Sequence, residues 1–170
     1  MTTTSLFVTE LETPEGAITF ARRGERLVAL CFKDHWPRLK RELEKRFGAL
    51  ELVPDAKGGR AGRALRRYLE GDLTALDALE VDTQGTPFQE KVWSRLRQIP
   101  AGATWSYAEL ARAIGRPSAV RAVAGANAKN PVSVVVPCHR VIAADGKLSG
   151  YGGGVPRKRW LLTHEGALLA

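Results

Sequence analysis

A thiol, an imidazole and a guanidinium stand side by side at Cys138, His139 and Arg140. A thiol reacts as a nucleophile only in its thiolate form, and a neighbouring His or Arg makes that form easier to reach. An isolated Cys–His pair is more often a buried core cysteine, so the pair alone leaves a purely structural role open. Pro137 and Arg140 beside the pair favour the nucleophile. The sequence therefore predicts a reactive thiol at Cys138.

The five residues Val132–Val136 should position this thiol. β-Branched residues favour strands, five residues are too few for a typical helix, and the apolar positions predict burial on both faces. Pro137 would end the strand, because proline cannot donate to a sheet ladder. Cys138 would then lie where a rigid, buried strand gives way to a turn.

A carboxylate at Glu165 is the candidate partner for the imidazole. The last helix is predicted to begin near Pro156, a favoured first position, and to run to Glu165, with Gly166 as its stop. A carboxylate at that end meets the negative end of the helix dipole. If Glu165 is buried there, it needs a cation or an imidazole as its partner, and His139 is the candidate.

The composition describes a globular chain with an excess of positive charge. Of 170 residues, 44% are hydrophobic and 26% are charged, and the formal net charge is +8. The charge favours a polyanionic partner, although many basic proteins bind none. Cys31 is expected in the core. A chain of this size needs no disulfide to stabilise its core, and a cysteine beside a histidine favours a reduced thiol. No apolar run approaches a membrane span and residues 1–5 lack a signal-peptide pattern, so we expect a cytoplasmic protein with no membrane partner.

Residues 1–85 predict an N-terminal domain built of a sheet and helices. Strand-like runs separated by turn sequences lie at residues 6–8, 17–20, 27–32 and 50–53. The spacing of apolar residues predicts helices at residues 36–47 and 61–70. Nothing in this half resembles a catalytic cluster. The connection to the second half contains Gly85 and Pro87, and we place the domain boundary between residues 85 and 86.

Residues 86–170 predict a helical domain. A first helix is expected over residues 88–96, and Ser106 and Glu109 have the spacing of a capping box, which marks the start of a second helix. A third helix, Ala119 to about Ala126, follows a tight glycine-containing turn. Helix, short turn and helix is the pattern of a helix-turn-helix, although many helical hairpins share it.

The third helix has an unusual composition, with one arginine, Arg121, among very small residues such as Ala119, Ala122 and Gly125. A helix that reads bases in the major groove usually carries Arg, Asn, Gln or Ser. Small side chains permit close backbone approach and suit the minor groove without sequence readout. Tight packing against another helix explains the same residues equally well, and the sequence leaves both interpretations open.

Taken together, these motifs resemble the O6-alkylguanine-DNA alkyltransferases (methylated-DNA–protein-cysteine methyltransferases). The resemblance runs from about Thr86 to Gly166, whereas the first half matches only in general character. It depends on separated motifs in the same order, which are Phe88-Gln89, Val92-Trp93, Ser106-Tyr107, Arg121-Ala122-Val123, Asn130-Pro131, Pro137–Ile142, Gly150-Tyr151 and His164–Gly166. It implies an α/β (α+β) protein with a ribonuclease-H-like sheet-plus-helix domain, followed by a helical, winged-helix-like domain with a helix-turn-helix that carries the chemistry.

The resemblance implies direct-reversal DNA repair, with a methyl or small alkyl group moving irreversibly from O6-alkylguanine in double-stranded DNA to Cys138. Each molecule would act once, without cofactor or metal. His139 would take the thiol proton through a water, while Glu165 orients and charges the imidazole. Asn130 would hold the active-site turn together.

The resemblance also implies which residues bind the substrate. Tyr107 would hydrogen-bond the flipped base and crowd the neighbouring phosphate, and Arg121 would fill the gap that the base leaves. The backbone carbonyls of Cys138 and Val141 would accept from the guanine amino group. A glycine-rich loop would close over the base with its amides facing O6, and it contains Tyr151, Gly152 and Gly153.

Two features depart from parts of this family. Gly152 stands where some members have Ser, so only a backbone amide can serve there, and Cys31 beside His35 provides too few ligands for a closed zinc site. The chief alternative is a DNA-binding sensor that flips and holds the base without accepting the alkyl group, against which Cys138 argues. A Cys–His hydrolase or thiol redox protein is a weaker alternative. We expect a monomer, and the sequence leaves cooperative binding along DNA open.

Overall fold

The computed structural model describes residues 2–148 and 150–169. Contacts between Cα atoms divide the chain into two units, residues 1–83 and residues 84–170, which are described separately. The mixed α/β fold that the sequence predicts is confirmed, while the domain boundary at 85/86 stays a prediction. Within the described ranges, no helix combines the length and the apolar character needed to cross a membrane.

The first unit is built around a four-stranded sheet in the order β3-β2-β1-β4. Short connections join the first three strands, which run antiparallel, whereas β4 returns beside β1 after a helix and runs parallel to it. The strands are β1 (Thr4–Leu11), β2 (Ile18–Arg23), β3 (Arg26–Phe32) and β4 (Leu50–Pro54).

Two helices accompany this sheet. Helix α1 (Trp36–Phe47) buries Leu43 against Leu6 and Val28 of the sheet, as its four-residue apolar spacing predicts. Helix α2 (Gly59–Leu69) begins after Gly58, whose φ of 80° and close approach to a phenylalanine ring require glycine. Cys31 of β3 is buried, as expected for a core residue.

The second unit consists mainly of helices, and a two-stranded parallel sheet joins two of its segments. The helices are α3 (Pro87–Leu96), α4 (Tyr107–Ala113), α5 (Val120–Ala128) and α6 (Val155–His164), and the strands are β5 (Trp105–Ser106) and β6 (Val141–Ile142). The capping box predicted at Ser106 and Glu109 is confirmed, since each side chain bonds the other residue's backbone amide. A second capping box, formed by Thr86 and Gln89, starts α3.

The strand predicted at Val132–Val136 is wrong. The segment is a series of turns in which Val134 has a left-handed φ of 72° and the Val136 amide donates to the Val132 carbonyl at 2.9 Å. The reason lies in the Asn130 side chain, which donates to the Val136 carbonyl at 2.7 Å and accepts from the Val132 amide at 2.9 Å. These bonds replace a sheet ladder, so the valines are buried as predicted but in a different backbone conformation.

Candidate active site

Cys138 opens a single 3₁₀ turn, Cys138–Arg140, directly after the segment that Asn130 holds. Its side chain is buried, with the residue only 6% exposed. Burial raises the pKa of the Cys138 thiol, and Asn130 and Lys158 only partly oppose this rise. The resting thiol is therefore protonated, and it needs a base to become a nucleophile.

A candidate base, His139, lies in a buried cluster with Arg140 and Glu165. His139 Nε2 lies 2.9 Å from Glu165 Oε2, so the partner that the sequence suggested for Glu165 is the observed one. Arg140 also donates two hydrogen bonds to this carboxylate, from Nε to Oε1 at 2.8 Å and from a terminal nitrogen to Oε2 at 2.9 Å. Its other terminal nitrogen donates to the Ile99 carbonyl at 2.6 Å.

The charges in this cluster fix the tautomer of His139. Burial acts to raise the pKa of Glu165, but His139 and Arg140 hold that pKa well below its usual range, so the group is a carboxylate. A carboxylate only accepts, so Nε2 of His139 carries the proton and Nδ1 carries a lone pair. Nδ1 is buried and has no hydrogen-bond partner among the described residues.

His139 is a neutral base in this arrangement. Burial lowers the pKa of the imidazole, Glu165 opposes that effect, and Arg140 and Lys158 reinforce it. Glu165 therefore acts in the expected direction, toward the charged imidazole, but burial outweighs it and favours the neutral form. The geometry indicates a neutral thiol and a neutral imidazole at rest.

Lys158 is a site residue that sequence reasoning missed. It is completely buried, and its Nζ donates to the Val141 carbonyl at 2.7 Å. Burial lowers the pKa of Lys158, whereas the neighbouring Cys138 raises it. A signal existed, since Lys158 shares a helical face with Leu161, Leu162 and Glu165 at spacings of three, four and seven residues.

Two tyrosines lie close to the thiol. Tyr107 is the first residue of α4, and its hydroxyl is 3.3 Å from where a Cβ on Gly150 would lie. The Tyr151 hydroxyl is buried without a hydrogen-bond partner in the part of the chain that the structure describes. Burial raises the pKa of both phenols, and the nearby Cys138 raises them further. Both tyrosines therefore keep their protons and can donate.

Asn127, in the last turn of α5, is the second residue that the sequence analysis missed. It is 3% exposed, and its Nδ2 donates to the Cys138 carbonyl at 3.3 Å. The Cys138 carbonyl thus accepts a hydrogen bond from Asn127, and the Val141 carbonyl accepts one from Lys158. Both carbonyls were expected to bind the guanine. A carbonyl oxygen has two lone pairs, so each can accept a further bond.

The glycine-rich loop is open on its outer side. Gly152 is exposed, and no described atom would meet a Cβ placed on it, while Gly153 is partly buried. Among the described residues, no group of three or more His, Cys, Asp or Glu side chains could hold a metal ion together.

The outer face of α5 is free of packing. Arg121, Ala122 and Gly125 are exposed, Ala119 is partly buried, and no described atom lies within 4 Å of a Cβ placed on Gly125. On the inner face, Trp93 donates from Nε1 to the Ala126 carbonyl at 2.8 Å. The small residues at 122 and 125 therefore do not serve helix packing, which was one of the two interpretations left open.

The comparisons agree with this geometry. The family model described as the DNA-binding domain of 6-O-methylguanine DNA methyltransferase matches residues 87–167. The methylated-DNA–protein-cysteine methyltransferase of Shigella flexneri is 45% identical over 153 residues, which cover 90% of this chain and 84% of that protein. The chain belongs to this methyltransferase family. The resemblance found in the sequence is thereby confirmed.

Solved structures of the methyltransferase family extend the similarity to the whole fold. Mycobacterium tuberculosis OGT in complex with DNA is 41% identical, with a TM-score of 0.81 over 95% of this chain and 93% of that chain. The O6-methylguanine-DNA methyltransferase from Pyrococcus kodakaraensis strain KOD1 is 29% identical, with a TM-score of 0.66 over 95% of this chain and 99% of that chain. As a member of the family, the chain is a cysteine methyltransferase of direct-reversal DNA repair, and DNA is its partner.

The charge of this methyltransferase is divided unequally along its sequence. Residues 84–170 contain 12 Lys and Arg against 4 Asp and Glu, whereas residues 1–83 contain 14 of each. The second unit therefore carries the whole net charge of +8. It also contains the site and α5, so the attraction for phosphate groups lies where the chemistry does.

Proposed function

We propose that the chain removes a methyl or small alkyl group from O6 of guanine in double-stranded DNA and keeps it on Cys138. The observation that carries this proposal is the pairing of a buried, protonated thiol with a neutral imidazole whose Nδ1 is free to take a proton. Such a pair can generate the thiolate that an alkyl transfer to sulfur needs. The transfer needs no metal or cofactor, because the alkylated base itself is the leaving group.

The reaction balances with the groups present. The thiol proton passes through a water to Nδ1 of His139, and Cys138 Sγ attacks the alkyl carbon. A carbon–sulfur bond forms as the bond from that carbon to O6 breaks, and its electron pair stays on the guanine. Tyr107 donates a hydrogen bond to the base as this charge develops. The proton held by His139 then goes to the guanine, which leaves a normal base and a thioether.

The surrounding charges support each step. Glu165 and Arg140 keep the proton of His139 on Nε2, so Nδ1 stays available as the base. The positive charge of Lys158 acts to lower the pKa of the Cys138 thiol, so it stabilises the thiolate as it forms. Asn130 holds the turn that precedes the thiol.

DNA binds through the outer face of α5, in the minor groove. Arg121 occupies the space that the flipped base leaves, while Ala122 and Gly125 let the helix backbone approach the groove closely. Tyr151, Gly152 and Gly153 close over the flipped base. The protein acts as a monomer in the cytoplasm, where it meets chromosomal DNA.

The sensor alternative is not favoured. A sensor needs a base pocket but no nucleophile, whereas this chain has a thiol, a base and a buried cation together. Relatives that it matches over about nine-tenths of its length are methyltransferases by name.

Intact-mass measurement after incubation with excess duplex containing O6-methylguanine tests the proposal. The protein should gain the mass of one methyl group, and peptide mapping should place it on Cys138 and not on Cys31. Repaired guanine should match protein mole for mole, because a thioether has no carbonyl that water could attack. Repeated turnover would indicate a hydrolase, and tight binding without methylation would indicate a sensor.

A further inference from the structure

Buried polar atoms without a hydrogen-bond partner are concentrated at the acceptor site. Among the described residues there are four such side-chain atoms, and three of them belong to Asn127, His139 and Tyr151. A buried polar atom without a partner costs free energy, so its presence needs a reason, such as a ligand that satisfies it. Nδ1 of His139 has its reason in the proposed reaction, where it takes the thiol proton. Oδ1 of Asn127 can only accept, so the group that satisfies it has to be a donor.

The inner face of α5 places Asn127 beside Cys138. Val123, Ala126 and Asn127 are the buried residues of this helix, at the spacing of one helical face. Trp93 fixes the last turn, because its Nε1 donates to the Ala126 carbonyl at 2.8 Å. Asn127 is 3% exposed, and its Nδ2 donates to the Cys138 carbonyl at 3.3 Å. The side chain is therefore held by its own helix on one side and by the acceptor residue on the other.

The bond to the Cys138 carbonyl determines which way the Asn127 amide faces. A flipped amide would place Oδ1 against the carbonyl oxygen, and two acceptors cannot form a hydrogen bond with each other. Oδ1 and Nδ2 are attached to the same carbon atom, so Oδ1 lies close to the Cys138 carbonyl. The acceptor residue thus has a second, unsatisfied acceptor atom next to its own carbonyl oxygen.

The chemistry of O6-alkylguanine leaves one group that can satisfy this atom. Alkylation at O6 removes the proton from N1, so N1, N3, N7 and O6 of the base present only lone pairs. The 2-amino group is the one N–H donor that remains on the base. A buried acceptor at this position therefore matches an alkylated guanine and does not match a purine that lacks the amino group.

We propose that Asn127 is a specificity-determining residue whose Oδ1 accepts a hydrogen bond from the 2-amino group of the flipped O6-alkylguanine. The second N–H of that amino group is left for a backbone carbonyl. One side chain thus holds the acceptor residue through Nδ2 and identifies the base as guanine through Oδ1. This inference rests on the proposed function, which brings the alkylated base to Cys138.

The test compares two duplexes that differ only in the amino group. One contains O6-methylguanine, and the other contains O6-methylhypoxanthine, which has hydrogen at C2. Asn127→Leu removes both polar atoms at a similar size, and Ala128→Leu is the matched control, since Ala128 is the next residue of the same helix and is exposed. The quantity compared is the ratio of the two methyl-transfer rates, because loss of the bond to Cys138 or a looser fold slows both duplexes equally.

The unaltered protein and Ala128→Leu should share one ratio, in favour of O6-methylguanine. Asn127→Leu should lower that ratio by about tenfold, as expected for one lost hydrogen bond that leaves a buried donor unpaired. The additional loss should fall on the O6-methylguanine duplex alone. A ratio equal to that of the unaltered protein would overturn the proposal and would leave Asn127 a purely structural role.

A spectroscopic measurement detects the contact without altering Asn127, and it decides the question should Asn127→Leu fail to fold. Cys138→Ala cannot accept the alkyl group, so its complex with duplex DNA retains the methylated base. With ¹⁵N in the 2-amino group, the amino protons should give nuclear Overhauser effects to the side-chain protons of Asn127. Amino protons that show contacts to other protein groups and none to Asn127 would refute the hydrogen bond.

These measurements also distinguish this inference from the proposed function. If the unaltered protein transfers no methyl group from either duplex, the proposed function fails, and the spectroscopic measurement still decides whether Asn127 contacts the amino group. If it transfers methyl and Asn127→Leu keeps the same ratio, only the inference about Asn127 fails.

Discussion

Replacing Glu165 by Gln should destabilise the protein far more than the loss of an ordinary surface charge. The carboxylate accepts hydrogen bonds from His139 and, twice, from Arg140, at 2.8–2.9 Å. Glutamine has a single acceptor oxygen. The N–H groups of its amide would face the N–H groups of His139 or Arg140, and two donors cannot form a hydrogen bond with each other. The Arg140 guanidinium would also stay buried without its counter-charge.

The magnitude follows from the burial of the pair. Removing one partner of a buried ion pair costs about 3–5 kcal/mol, because the other charge remains buried and uncompensated. A matched exposed pair is available in Arg26 and Glu80, which lie 3.1 Å apart with both side chains 64% exposed. Glu80→Gln should cost less than about 1 kcal/mol.

Urea denaturation at pH 7 measures both losses of unfolding free energy. A third variant, Arg140→Met combined with Glu165→Gln, removes the uncompensated guanidinium and should recover part of the stability lost in Glu165→Gln alone. The reasoning would be refuted if Glu165→Gln cost no more than Glu80→Gln, or if the double variant were no more stable than Glu165→Gln alone.

Three further results are expected. Arg121→Ala should slow methyl transfer from duplex DNA roughly tenfold or more while leaving transfer from free O6-methylguanine unchanged, because flipping a base costs a few kcal/mol only in a duplex; equal losses on both substrates would argue against its role in the vacated stack. Gly125→Ala should raise the unfolding free energy by about 0.5–1 kcal/mol, since a Cβ there meets no described atom and alanine favours the helix; thermal unfolding checks this, and a lower Tm would show that the position is packed. In a Cys31→Ala variant, the rate at which iodoacetamide alkylates Cys138 should keep rising with pH beyond 8. Burial raises the thiol pKa above its ordinary value of 9.0, so little thiolate is present at neutral pH. A rate that levels off near pH 7 would contradict a protonated resting thiol.

Local signals in the sequence predicted most of the helices and the chemistry of the thiol. The capping box at Ser106 and Glu109 depends on residues three positions apart, and the helices of the second unit begin within a few residues of where such signals place them. Cys138 and His139 are adjacent, so their pairing could be considered from the sequence alone. These features need no knowledge of the tertiary structure.

The remaining features depend on contacts between distant residues. Val132–Val136 has the composition of a strand, and only the bonds from Asn130 turn it into a folded loop. Arg140 reaches Glu165 across 25 positions. The burial that favours the neutral imidazole also comes from packing between distant residues. Asn127 gave no signal, because an asparagine near a helix end is most often a surface residue.

The unequal division of charge affects how this protein finds its target. A repair protein that is consumed by one reaction must examine many normal bases before it meets a damaged one. Its non-specific affinity for undamaged DNA therefore has to be high enough to keep it bound and low enough to let it slide or dissociate to the next site. With 14 acidic and 14 basic residues, the first 83 residues add size without net attraction, so the salt dependence of scanning should be set by the second unit alone.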